Sequence, residues 1–195
     1  MIFLYRDGGK VFPNCLCGAR LERYELAVRE KTKRKIIVGS YFLYDILQYF
    51  NCDDLICNQS FEKSAHEISS IPFFISLSNV ENVYVIAISN KNIGIDIERE
   101  KDRSRIMYER FLGISDASCI PDDVLKLNFY KKWLEKEARY KSRLKKGEMR
   151  YFRDEDLLIG VFIFPLEKIT LFEVTDVSLG EASVLMKKNI TIIEE

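Results

Sequence analysis

A period-two alternation runs through "IGIDIE", residues 93 to 98. Ile93, Ile95 and Ile97 fall on one face of a strand, and Gly94, Asp96 and Glu98 on the other. Upstream, "PFFISLS" and "VYVIAIS" read as two more extended segments. The polar residues Ser89 to Asn92 separate the second from the Asp96 strand and predict a hairpin. Further back, apolar or small residues at 36, 40, 43, 47 and 50 predict a helix in "RKIIVGSYFLYDILQYF". The second half repeats this order. "RIMYERFL" predicts a short helix, and Pro121 before Asp122 and Asp123, with Gly147 beyond, predicts a long one from about Asp122 to Lys146. "LLIGVFIF", "PLEK" and "ITLFEV" then predict another hairpin. The pattern implies an α+β fold built by internal duplication, with similar α/β halves at residues 1–98 and 99–195. No low-complexity linker separates them, so they are expected to form one unit.

Composition narrows the classes. The 195 residues are 47% hydrophobic and 31% charged, as in soluble globular proteins. No signal peptide is visible, and the longest apolar run is too short to span a bilayer, so a cytoplasmic protein is expected. Five cysteines, an odd number, point to free thiols; the spacing of Cys15, Cys17, Cys52 and Cys57 is loose for zinc. His66 is the sole histidine, which excludes multi-histidine metal sites. Net charge is zero, but it is unevenly spread. Residues 20–35 carry seven basic and three acidic side chains, and residues 126–150 carry ten and three. Two basic concentrations in a neutral chain fit either an anionic ligand or two solvated helix faces.

The long helix gives the acids at 96 and 98 a context. Alone, their strand reads as one whose polar face meets water. Phe129, Trp133, Glu137 and Lys141, however, fall four apart along one helix face. The aromatic end of that line must face a core, which leaves Glu137 and Lys141 at the core's edge. A plain Glu137–Lys141 pair is worth a few tenths of a kcal/mol, and does not account for that position. If strand end and helix face meet, Asp96, Glu98 and Glu137 converge and repel unless a cation lies among them. An all-oxygen donor set suits Mg²⁺, which also takes phosphate oxygens, and Lys141 would neutralise a phosphate.

"IGIDIE" followed by "WLEKEARYK" resembles the two-part signature of the 4′-phosphopantetheinyl transferases. The first part is a hydrophobic–Gly–hydrophobic–Asp–x–Glu strand. The second is a Trp–x–x–Lys–Glu–(Ala/Ser)–x–x–Lys helix, here Trp133, Lys136, Glu137, Ala138 and Lys141. Weaker similarity to the single-chain, surfactin-synthetase-activating type covers about residues 20 to 141, including "FFISLS" and "ERFLGISD". The resemblance implies two halves in pseudo-twofold arrangement, with coenzyme A and Mg²⁺ between them. It implies a monomer that moves the phosphopantetheine arm of coenzyme A onto a serine of an apo-acyl or peptidyl carrier protein, releasing 3′,5′-ADP.

By the same resemblance Asp96, Glu98 and Glu137 would hold Mg²⁺, and Lys141 would stabilise the leaving phosphate. Arg20, Arg23 and Lys35 would meet the nucleotide end of coenzyme A, with Lys63 and Ser76 as further contacts. Asp116 would activate the serine. The chain departs from the pattern at Leu77, where the family has histidine, and at Leu134, where a small hydroxyl or thiol residue is usual. It also has Asp rather than Glu at 116. Two other readings remain: a non-catalytic descendant that binds coenzyme A or a carrier protein, and a Mg²⁺-dependent nuclease. The nuclease would need a basic groove with stacking aromatics, which the pattern lacks, so neither nucleic acid nor membrane is an expected partner.

Overall fold

The computed structural model describes residues 1–9, 16, 18–50, 52, 66–67, 73–164, 169–174, 185–187 and 191–193. The chain opens with strand β1 (Ile2–Arg6), helix α1 (Gly18–Leu26) and the long helix α2 (Glu30–Tyr49). Strands β2 (His66–Glu67), β3 (Phe74–Val80), β4 (Val83–Ser89) and β5 (Gly94–Arg99) follow. Helices α3 (Arg105–Leu112) and α4 (Asp122–Ser142) come next. The chain then runs through β6 (Glu148–Asp154), β7 (Leu157–Ile163), β8 (Leu171–Val174), β9 (Leu185–Lys187) and β10 (Thr191–Ile193). The described residues thus form an α+β fold of four helices and two sheets. Among them, no helix is long and apolar enough to cross a membrane.

One sheet has the order β2-β3-β4-β1-β8-β9 and the other β10-β6-β7-β5. Strand alternation stacks them. Phe3, Tyr5, Tyr84, Ile86 and Ile88 pack on Val38, Phe42 and Ile46 of α2. Their alternates Ile2, Leu4, Val83, Val85 and Ala87 pack on Ile93, Ile95, Ile97, Ile159 and Val161 of the second sheet. The outer face of that sheet meets Leu125, Phe129 and Leu134 of α4 through Tyr151 and Leu158. The result is helix, sheet, sheet, helix.

This layering corrects both predicted hairpins. β4 pairs with β1 and β3, whereas β5 pairs antiparallel with β7 in the other sheet. Likewise β7 lies in the second sheet, and β8 runs parallel to β1 in the first. The link from Ser89 to Gly94 is therefore a crossing between stacked sheets, and β7 and β8 likewise lie in different sheets. Among the described residues, β3–β4 and β6–β7 are antiparallel hairpins, each joined by a two-residue turn. Alternation reports which face is buried and is silent on whether the next strand lies beside or below. Strands from residues 1–98 and 99–195 thus share both sheets. β1 and β6 were not foreseen.

The long helix ends at Ser142, earlier than expected. Arg143 takes a left-handed conformation (φ 56°) that terminates it, so Gly147 is not the stop. Gly147 instead packs tightly, since a Cβ there would lie 2.6 Å from the Ile163 carbonyl oxygen.

Candidate functional site

The face of β5 that carries the acids looks at α4 and not at water. Ile93, Ile95 and Ile97 point into the intersheet core, so Gly94, Asp96 and Glu98 must point to the helix. Gly94 is the closest approach. A Cβ there would stand 1.9 Å from the Ala138 carbonyl oxygen and 2.8 Å from the Ser142 nitrogen. Gly160 on neighbouring β7 admits Leu134 in the same way, with 2.7 Å between a hypothetical Cβ and the leucine Cβ. Leu134 therefore fits without the small residue usual in the resemblance.

With helix and strand in contact, side chains from both meet. Lys141 Nζ donates to Asp96 Oδ1 at 2.7 Å, to Ser78 Oγ at 2.9 Å and to the Ile95 carbonyl at 3.1 Å. The Ser78 hydroxyl donates to the same Asp96 Oδ1 at 2.6 Å. Asp96 is only 7% exposed. Two turns back along α4, the Trp133 indole lies beside the Glu98 carboxylate, lining the same cavity. Burial, and then repulsion from Asp96, push the Glu98 carboxyl above its ordinary value, against opposing contributions from Trp133, Arg103 and Lys141. A cavity of ≈ 90 Å³ beside it is lined by Glu98, Arg103, Met107, Phe129, Tyr130 and Trp133.

Glu137 lies on the same helix stripe, midway between Trp133 at Glu98 and Lys141 at Asp96. It is half-buried and makes no ion pair or hydrogen bond among the described residues. Lys141 thus pairs with Asp96 across the helix–strand contact, and not with Glu137 one turn back. Among the described residues, no three acid, histidine or thiol groups are gathered closely enough to hold a metal ion. Asp96 is instead compensated there by Lys141 and Ser78. Asp96 and Glu98 repel each other in a partly buried site.

The remaining expected residues lie elsewhere. Ser76 is fully buried, and its Oγ accepts the Ile95 N–H at 3.1 Å, joining β3 to β5. Arg20 is 4% exposed, with its Nε donating to Ser40 Oγ of α2 at 2.8 Å. Burial lowers its guanidinium to about 10, helped by repulsion from Arg23. Arg23 is exposed and Lys35 half-buried. Lys63 lies outside the described residues, as do Cys15, Cys17 and Cys57. Asp116 is exposed between α3 and α4 and accepts the Ser118 N–H, which holds its carboxyl below the ordinary range. It makes no bond to Asp96, Glu98 or Glu137. Leu77 packs against the core under α2, on the face of β3 opposite Ser76 and Ser78.

Ser78 and Arg103 were not anticipated. The period-two spacing of Ser76 and Ser78 was a usable signal for the first. Arg103 sits in an irregular segment, where no periodicity marks it. No protein-family model matches the chain, and no curated protein matches it.

Proposed function

We propose that the protein is a Mg²⁺-dependent 4′-phosphopantetheinyl transferase acting on coenzyme A and a carrier-protein serine. One observation carries this reading. The acid face of β5 packs on the α4 face bearing Trp133, Glu137 and Lys141, so the two parts of the signature form one site. In the proposal the stretches 1–98 and 99–195 are halves in pseudo-twofold relation, and the protein acts as a cytoplasmic monomer.

Asp96, Glu98 and Glu137 are the residues that would hold Mg²⁺, which supplies charge neutralisation for a pyrophosphate. The serine oxygen attacks the β-phosphate, a P–O bond to the nucleotide breaks, and 3′,5′-ADP leaves with the electron pair. Lys141 stabilises negative charge on that leaving phosphate, where a fixed cation in a water-poor site acts most strongly. Arg23 and Lys35 are the cations available to the nucleotide end. Arg20 supports them by fixing α1 on α2 through Ser40. Ser76 acts through β5, since its hydroxyl is already engaged. Asp116, exposed between α3 and α4, is the carboxylate that takes the serine proton in this reading.

A second reading is favoured by a different observation. Lys141 uses all three of its N–H groups inside the protein, which suits a descendant that binds coenzyme A or a carrier protein without transfer. The two separate cleanly. Incubate the protein with coenzyme A, Mg²⁺ and a panel of apo-carrier proteins, and weigh the carriers by intact-mass spectrometry. The transferase reading expects the phosphopantetheine adduct on a carrier serine. Calorimetric binding of coenzyme A with no adduct on any carrier would support the binder.

A further inference from the structure

The outer face of α4 carries a stripe of cations. Lys132, Lys136 and Arg139 fall four and three residues apart and are exposed, and exposed Arg143, Lys145 and Lys146 prolong the run past the helix end. From Lys132 to Arg143 the stripe is about 16 Å long. Glu135, the acid beside it, is already paired with Arg139 at 2.7 Å. Six cations against Glu135 leave +5 on this face, and −5 on the rest of a chain whose net charge is zero. A helix C-terminus favours cations only in its last turn, which accounts for Arg139, while Lys132 serves the end of α3 through the Leu112 carbonyl. Lys136, Lys145 and Lys146 have no such role.

Several of these charges are held in place. Lys132 Nζ donates to Leu112 at 3.1 Å, the Lys136 ammonium lies 5.6 Å from the Trp133 ring centre, and the Arg139 guanidinium lies 4.5 Å from that of Phe162. Fixed cations lose less freedom when a partner binds. Apolar surface accompanies them: Tyr140 is 66% exposed, and Phe164, just beyond β7, is 45% exposed with the Lys91 ammonium over its ring.

We infer that the outer face of α4 docks an acidic amphipathic helix of a partner protein. Acids four and three residues apart on such a helix match the spacing of Lys132, Lys136 and Arg139. An apolar side chain beside those acids meets Tyr140, a ring of the kind that anchors interfaces. Opposed charge sets the choice and orientation of the partner. A nucleic acid would run past so short a stripe onto surface that carries the balancing negative charge. None of these side chains takes part in the proposed transfer.

The test uses the whole protein and a rhodamine-labelled, alanine-rich peptide with glutamates four and three residues apart and a leucine beside them. Fluorescence anisotropy in low salt should show binding at least tenfold tighter than to the same residues scrambled around the helix, and severalfold weaker in high salt. Lys136→Glu/Lys145→Glu should bind the striped peptide at least tenfold more weakly. Tyr140→Ser, which keeps every charge, should weaken binding severalfold, and this variant decides if the double one does not fold. Equal affinity for striped and scrambled peptides, no binding of either, or variants that bind as the unsubstituted protein does, overturns the inference. Tighter binding of a single-stranded oligonucleotide or of phosphatidylserine vesicles than of the striped peptide overturns the choice of partner.

Discussion

Gly94 has no room for even a methyl group, because the Ala138 carbonyl oxygen occupies the place its Cβ would take. Gly94→Ala must push β5 from α4, and overpacking of this kind costs about 3 kcal/mol or more. A large drop in melting temperature is expected, with any surviving activity impaired because Asp96 and Glu98 move with the strand. Glu98 makes a prediction in pH. Its folded-state pKa lies above the ordinary 4.5, so the folded protein holds this proton more tightly than the unfolded chain does. Stability from Glu98 is then full below that value and is lost as pH rises through the raised one. Glu98→Gln should therefore melt higher than the unsubstituted protein at pH 7 to 8, with the gain vanishing toward pH 4. A constant difference across a thermal-shift pH series would contradict the assignment.

β5 is the edge strand of its sheet, and its outer edge is closed by side chains instead of another strand. At Ile95 the N–H goes to Ser76 Oγ and the carbonyl accepts from Lys141. Such cover protects an edge from pairing with other chains. Ser76→Ala leaves a buried N–H without its acceptor, at a cost of about 1–3 kcal/mol. Denaturant unfolding should show this loss, with coenzyme A affinity of the folded variant nearly unchanged. Equal stability combined with weakened binding would return Ser76 to direct phosphate contact. The pattern of the chain revealed β3, β4, β5, β7 and both long helices, because periodicity marks a buried face. It did not reveal that β5 leaves the sheet of β4, since a short polar link serves a hairpin and a crossing equally. Nor did it show that Arg143 would end α4, because a left-handed non-glycine residue carries no sequence mark. Lys141 was read on the helix face that meets β5, but its partner there depends on β5, which local spacing cannot report.

The two stretches of the molecule exchange strands. β5, from residues 1–98, closes the sheet of β6 and β7, while β8, from residues 99–195, pairs with β1. Fragments 1–98 and 99–195 produced separately should therefore lack cooperative melting, and should regain it when mixed. Cooperative melting of either fragment alone would contradict the shared sheets. The same interleaving brings the acids of one stretch to the helix of the other, which makes the site a property of the assembled fold. Within it Glu137 is the most telling residue, because it lies on the α4 stripe between Trp133 and Lys141 and bonds no described residue. Substitution there should cost little stability, about 0.5 kcal/mol or less. The decisive measurement is the rate of phosphopantetheine transfer to an apo-carrier by Glu137→Gln beside the unsubstituted protein, with Mg²⁺ and saturating coenzyme A. The proposed site predicts an unchanged melting temperature and a rate at least a hundredfold lower in the variant. Transfer at the same rate by both proteins would contradict it.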